Sequence, residues 1–367
     1  MSTVSSISLQ EQEGPSVAQD SRSDASRSST ASISSLSSSC QQRHDDCPPG
    51  ICRQLGENLF LPKPPILPPP IPPATAVNVA YYDNDFDFNE LIEKGEAFEA
   101  SLLELSSKAS QAPPAPLVVE NEPWEDFHST HHSASFFKAK RYLLQEFPSI
   151  IDTLRRHPRP VLLELGCGAG AALYPILSAL SVIQDSAPLP PLCFALDISP
   201  RALSLLTSSP FFSSSSIFPI CYDISSPSSP PPSAPSGDAT VALLIFTLSA
   251  ISPDKHALSL ARVRGMMSAG GLLCFRDYGV FDLTHLRFPL TQCVQEYVRA
   301  PSLVSRTFRR GDGTLSHFFT VDEDLRSTFE KAGFSVKEMR YATVINVNRK
   351  EGTTMKRVFV HVLAEAR

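Results

Sequence analysis

The sequence lacks any apolar run long enough to cross a bilayer, so no helical membrane span is expected. Its first residues, MSTVSSISLQEQEGPS, lack the apolar centre of a secretory signal. Glu11, Glu13 and Asp20 stand there among few basic residues, which speaks against a mitochondrial transit peptide; the expectation is a cytoplasmic protein, with the nucleus also open to it. Positive charge is short too. The 32 Lys and Arg are outnumbered by 38 Asp and Glu, and the net charge of −6 excludes holding nucleic acid by bulk charge. Any such contact must come from a local patch. There is also no disulfide framework. The eight cysteines are scattered, and Cys167, Cys193, Cys221 and Cys274 sit in or beside apolar runs, as buried thiols of an intracellular protein do. What is present suffices for a core: 367 residues, 42% of them apolar, allow one or two domains.

Residues 1–75 are rich in Ser, Gln and Pro, and "SRSSTASISSLSSSC" and "LPKPPILPPPIPP" carry too little apolar surface to offset chain entropy. They read as a disordered tail ending in a stiff polyproline spacer. Cys40, His44, Cys47 and Cys52 lie inside it, but Pro48 and Pro49 interrupt them and no second ligand pair follows, so no metal site is assigned. Residues 76–123 form a helical and linker segment, with a helix pattern from Asn89 to Ser107 and a break at "APPAPL".

From Val161 onward, strand and helix patterns alternate. "VLLEL", "CFALD", "IFPICYD", "TVALLIF" and "GGLLCFRD" read as strands, and "AALYPILSAL", "SPRALSLL" and "DKHALSLARVRGMM" as helices. This predicts an α/β, Rossmann-like fold with a mostly parallel sheet. "SVKEMRYATVI" and "KRVFVHVLAEA" read as a C-terminal antiparallel hairpin bringing the sheet to seven strands, after a helix in "VDEDLRSTFEKAG". Residues 225–237, "SSPSSPPPSAPSG", are a polar, Pro-rich surface insertion.

"LLELGCGAG" places Gly166, Gly168 and Gly170 after the first strand. Glycines there permit a tight turn and close approach of a ligand to the main chain. The G-x-G-x-G spacing, with Asp197 ending the second strand and Asp223 the third, favours S-adenosylmethionine (SAM) over a dinucleotide. Those carboxylates can accept the ribose hydroxyls and the adenine amino group. Each acid alone could equally cap the segment that follows it. In "CFRDYG" the fifth strand ends on Arg276, Asp277 and Tyr278, which suit a cleft that holds a base, or an internal Arg–Asp pair that fixes a loop.

The chain from Trp124 to about Ala364 resembles the tRNA 3-methylcytidine methyltransferases, which modify position 32 of the anticodon loop. The words that carry the resemblance are "PWEDFH", "FFKAKRYLLQEFP", "LELGCGAG", "LDISPRAL", "LIFTLSAISPDKH", "FRDYGVFDLTHLRF", "RRGDGTLSHFFT" and "VNRKEGTTMKRVFV". The resemblance implies one class I SAM-dependent methyltransferase domain over residues 124–367. It implies cofactor contacts at Trp124, His128, Gly166, Asp197, Asp223, Ile224 and Ile245, to which the glycine turn adds Gly168. A Tyr is usual where this chain has His128, and an Asn where it has Ala171.

It also implies tRNA as substrate, through the anticodon stem-loop, and a partner such as a seryl-tRNA synthetase or an accessory tRNA-binding subunit. Ring nitrogen 3 of cytosine carries an in-plane lone pair and needs no base to make it nucleophilic, but it must be unpaired. Catalysis is then expected from Asp277 beside the developing ring charge, with Arg276 as clamp and Tyr278 as stacking face. RNA contacts are expected from Lys138, Lys140 and Arg141, from Arg309 and Arg310, and from Arg349, Lys350 and Arg357. Two other readings stay open: a SAM-dependent methyltransferase of a small molecule or protein, and a noncatalytic RNA-binding protein on this fold.

Overall fold

The computed structural model describes residues 84–109, 123–131, 137–182, 190–228, 232, 235–294, 305–348 and 352–367. The tail, the Cys40–Cys52 group, Arg349 and Lys350 lie outside the described residues, as does part of the 225–237 insertion.

Five parallel strands make the centre: β1 (Val161–Leu165), β2 (Leu192–Asp197), β3 (Ile217–Cys221), β4 (Ala239–Ile245) and β5 (Met267–Tyr278). A short hairpin, β6 (Thr307–Arg309) with β7 (Leu315–His317), stands apart from the sheet. The long strands β8 (Phe334–Asn348) and β9 (Thr353–Ala366) complete the sheet in the order β3-β2-β1-β4-β5-β9-β8, with β9 antiparallel to both neighbours. Every side chain of β1 and β4 is buried, which is why those strands read as unbroken apolar runs. The hairpin β6–β7 had no counterpart in the sequence reading, where that stretch appeared irregular. Three-residue strands are too short to show alternation.

Helices cover the sheet. α1 (Ile92–Ala109) precedes the domain, and α2 (Pro123–Thr130) carries "PWEDFHST". α3 (Leu143–Glu146) and α4 (Ser149–Arg156) present Leu143, Ile150 and Leu154, with Phe147 between them, to the face that also receives α5 (Leu173–Val182). α6 (Pro200–Thr207) begins at Ser199, whose hydroxyl accepts the Ala202 N–H at 3.0 Å, with Pro200 in the first helical position. α7 (His256–Gly265) and α8 (Glu323–Lys331) pack on the opposite face, where Phe275, Phe329 and Phe334 are fully buried. The order of strands reverses direction between β1 and β4. Ligands of open α/β sheets bind beyond the carboxyl ends of strands at such a point.

Candidate active site

The turn after β1 holds Gly166, Gly168 and Gly170 at φ of 65°, 52° and 85°. A Cβ on Gly166 would lie 2.5 Å from Thr247 Oγ1, and one on Gly170 would lie 2.4 Å from the Tyr174 ring. Neither space nor backbone admits a side chain at those two positions. At Gly168 a Cβ would meet nothing within 4 Å, because that side of the turn opens onto a cavity of about 610 Å³.

Asp197, the last residue of β2, accepts the Gly168 N–H at 2.8 Å on Oδ2 and the Ser199 N–H at 3.0 Å on Oδ1. Burial pushes its carboxyl above the ordinary range, against the pull of those two N–H groups. Asp223, just past β3, accepts the backbone N–H and hydroxyl of Ser225 on Oδ1, both at 2.8 Å. No hydrogen bond reaches its Oδ2 from the described residues. Both acids therefore close a turn and line the cavity, so the two readings of them are compatible.

Trp124, His128, Gly166, Gly168, Asp197, Asp223, Ile224 and Ile245 all line this one cavity. Its volume falls in the range of small-molecule sites. The donor set fits a nucleoside carrying an amino-acid arm: acceptor carboxylates at two strand ends, an indole and aliphatic side chains for a flat base, and an open glycine edge. His128 is buried, and burial draws its imidazole below the usual value, with Asp197 and Glu125 opposing and His131 assisting.

The end of β5 corrects one expectation. Only Tyr278 of the Arg276–Asp277–Tyr278 triplet lines the cavity. Asp277 is fully buried and turned inward, taking the Ser249 N–H on Oδ2 and its neighbour Tyr278's N–H on Oδ1, both at 2.9 Å. Burial pushes its carboxyl to about 6. Arg276 is buried in an ion pair with Glu146, its guanidinium 4.2 Å from the Phe359 ring centroid and 4.9 Å from that of Tyr142. Glu146 also meets His361 at 3.2 Å, and His361 stacks on Phe147 with centroids 4.5 Å apart. The alternative named from sequence, an internal pair, describes Arg276, except that its partner is Glu146. No local pattern could have placed Glu146, 130 residues earlier, against it.

The basic residues also divide. Lys138, Lys140 and Arg309 line the cavity; Arg310 does not, though its guanidinium lies 5.8 Å from the Tyr278 ring centroid. Lys140 lies at the glycine turn, its N–H bonded to Ala171 O at 2.7 Å. Burial lowers its ammonium, with Glu164 opposing. Burial also raises the Glu164 carboxyl to about 8, with Lys140 opposing. Arg141 is exposed. Arg357 is bound to the fully buried Asp282 at 2.7 Å, which removes it from an outer cationic cluster. Among the described residues no group of three His, Cys, Asp or Glu could hold a metal.

Sequence reasoning missed Phe246. It follows β4 at φ 58°, a region that costs a non-glycine residue strain, and it lines the cavity 4.9 Å from the Tyr278 ring. Read as the end of the strand "TVALLIF", it gave no sign of strain. Lys255, from "SPDK", also lines the cavity.

The sheet order, the glycine turn and the acids at successive strand ends define a class I SAM-dependent methyltransferase. No family model matches the chain. The tRNA N(3)-cytidine methyltransferase METTL2 of Danio rerio is 30% identical over 272 residues, covering 65% of this chain and 72% of that protein. The tRNA N(3)-methylcytidine methyltransferase Mettl2 of Drosophila melanogaster is 32% identical over 241 residues, covering 65% and 68%. The tRNA N(3)-cytidine methyltransferase METTL6 of Homo sapiens is 31% identical over 243 residues, covering 65% and 77%. The chain belongs to the tRNA N(3)-methylcytidine methyltransferase family. Among solved structures, a SAM-dependent methyltransferase from Anabaena variabilis is 15% identical and covers 70% of this chain and 98% of that one, with a TM-score of 0.47.

Proposed function

We infer that this protein methylates N3 of the cytidine at position 32 in the anticodon loop of tRNA, with SAM as donor. Family membership names the reaction, and the observation that carries it to this chain is the cavity at the strand ends that Gly168, Asp197 and Asp223 line together. When bound, SAM supplies an electrophilic methyl group on a sulfonium. Asp197 and Asp223 offer carboxylate oxygens to the nucleoside part, Trp124 and Ile224 offer faces to its base, and the glycine edge admits its amino-acid arm.

The target cytosine enters from the Tyr278 side. Tyr278 and Phe246 form an aromatic wall there, and a base drawn out of the loop stacks on such a surface at small cost. Lys138, Lys255 and Arg309, which line the cavity, and Arg310, 5.8 Å from the Tyr278 ring, supply the positive charge that flanking phosphates require. The nucleophile needs no general base, so alignment of the ring nitrogen with the methyl group carries most of the rate. Asp277 acts through the main chain: by holding Ser249 N–H it fixes the turn whose residues Thr247 and Ala250 line the cavity.

A partner, a seryl-tRNA synthetase or an accessory tRNA-binding subunit, would select the tRNA, and the work would take place in the cytoplasm. The test is methyl transfer from labelled SAM to tRNA by purified protein, with and without such a partner, followed by mass spectrometry of the nucleosides. The expected product is 3-methylcytidine. Asp197→Ala should lose SAM binding and turnover together. Transfer to protein or small molecules in extracts stripped of RNA would overturn the substrate assignment.

A further inference from the structure

The helix that carries Trp124 and His128 is hydrogen-bonded through Glu125 to Ser199, which also holds the acid that ends β2. Ser199 is the junction. Its N–H donates to Asp197 Oδ1 at 3.0 Å, and its hydroxyl accepts the Ala202 N–H at 3.0 Å. That hydroxyl donates in turn to Glu125 Oε2 at 2.5 Å, and the same oxygen takes the Arg201 N–H at 3.0 Å. Ser199 has no exposed surface. An unbroken series of hydrogen bonds thus runs from the Gly168 N–H through Asp197 and Ser199 to Glu125 on α2. A carboxylate beside the first turn of α6 also meets the positive end of that helix.

Trp124 is the immediate neighbour of Glu125, and His128 lies one turn further along α2, so both side chains lie on the element that Glu125 fastens. Trp124 packs on Phe127 with ring centroids 5.4 Å apart and stands 6.2 Å from His128. These two aromatic contacts lie within α2, whereas the Glu125 bonds reach Ser199 and Arg201 at the start of α6.

We propose that Glu125 is a positioning residue that latches α2 to the start of α6 and so makes the Trp124–His128 wall and the Asp197 carboxylate one cofactor-binding unit. This rests on the reading of the cavity as a SAM site. Glu125 does not line the cavity and does not touch the reacting atoms. Its contribution belongs to the affinity for the donor and not to the methyl-transfer step or to tRNA.

The chain supplies its own reporter, because Trp124 is its only tryptophan. The experiment titrates full-length protein with SAM and follows Trp124 emission, with calorimetry alongside, for wild type, Glu125→Ala, Glu125→Gln and Ser199→Ala. One oxygen of Glu125 takes both bonds, so the amide oxygen of Gln can replace it and the methyl of Ala cannot. Glu125→Ala should weaken SAM binding about tenfold and shift Trp124 emission toward that of an exposed indole. At saturating SAM its kcat and its KM for tRNA should stay within about twofold of wild type. Glu125→Gln should recover most of the affinity, to within about threefold. Ser199→Ala, which removes the hydroxyl's bond to Glu125 and its cap on the Ala202 N–H but leaves the carboxylate and its Arg201 bond, should fall between them and serves if Glu125→Ala does not fold. Unchanged SAM affinity in Glu125→Ala and Ser199→Ala overturns the latch while leaving the cofactor site standing. Equal loss of kcat, tRNA affinity and melting temperature in the Gln and Ala variants also overturns it, in favour of a general structural role. A wild-type protein that binds no SAM overturns the cofactor reading, and the latch with it.

Discussion

The ends of β2 and β3 and the end of β5 look alike in sequence: an apolar run, then an acid, then a turn. In the folded protein they differ. Asp197 and Asp223 share their oxygens between a backbone turn and the cavity. Asp277 has its two oxygens taken by main-chain N–H groups in the interior, and its neighbour Arg276 is absorbed by Glu146 and two aromatic rings. An acid at the carboxyl end of a parallel strand lies near the ligand, but which way it turns depends on the next element. After β2 and β3 that element leaves the cavity open. At β5 the antiparallel strand β9 runs alongside and encloses the strand end.

The largest test of this contrast is Arg276→Ala. It leaves the buried Glu146 carboxylate with His361 alone to oppose its charge, and the expected loss of stability is about 3 kcal/mol, read from urea unfolding. SAM affinity measured under folded conditions should barely change. Loss of turnover at full stability would return Arg276 to the substrate side. Next is the pH dependence of Asp277. Its carboxyl titrates at about 6 in the folded protein, above its value in the unfolded chain, so the folded state favours the proton. Its stabilising contribution is complete below pH of about 4 and is lost as pH rises through about 6, by an amount on the order of 2–3 kcal/mol. Asp277→Asn should flatten the stability curve across that window; an unchanged slope would place the carboxyl in solvent. The smallest effect concerns His128. Its depressed imidazole is neutral at pH 7 and gains charge as pH falls, in a site built for a cationic sulfonium. The protonation of Asp197, whose carboxyl is raised, works in the same direction. SAM affinity should therefore hold at neutral pH and weaken as pH falls below the ordinary imidazole value of about 6.5. In His128→Tyr the decline should be shallower, leaving the part due to Asp197.

Much of this was legible before folding. The parallel strands announced themselves because buried strands must be apolar throughout, and the glycine turn because only glycine tolerates the φ it needs. Of the eight expected cofactor contacts, all of which line the cavity, six stand at or just beyond strand ends, where position in the pattern fixes position in space; Trp124 and His128, in α2, came from the family resemblance. What could not be read depends on contacts distant in sequence. Arg276 finds Glu146, Arg357 finds Asp282, and Arg306 finds Glu99 at 2.7 Å, so clusters of basic residues on paper become ion pairs in the structure. Lys140, counted there with an outer cluster, faces Glu164 at the glycine turn. Phe246 was hidden because backbone strain leaves no trace in composition.

Strand β9 has a consequence for how this chain is made. It lies between β5 and β8, so the sheet is completed from the inside by a segment synthesised after both of its neighbours. Until Thr353–Ala366 leave the ribosome, β5 has one open edge and β8 lacks the strand that pairs along its length. Both are exposed edges of the kind that recruit other nascent chains. A ribosome that stalls before β9 has emerged would hold a sticky intermediate, so cells making this protein should depend on chaperones most while β5 and β8 are exposed and β9 is not.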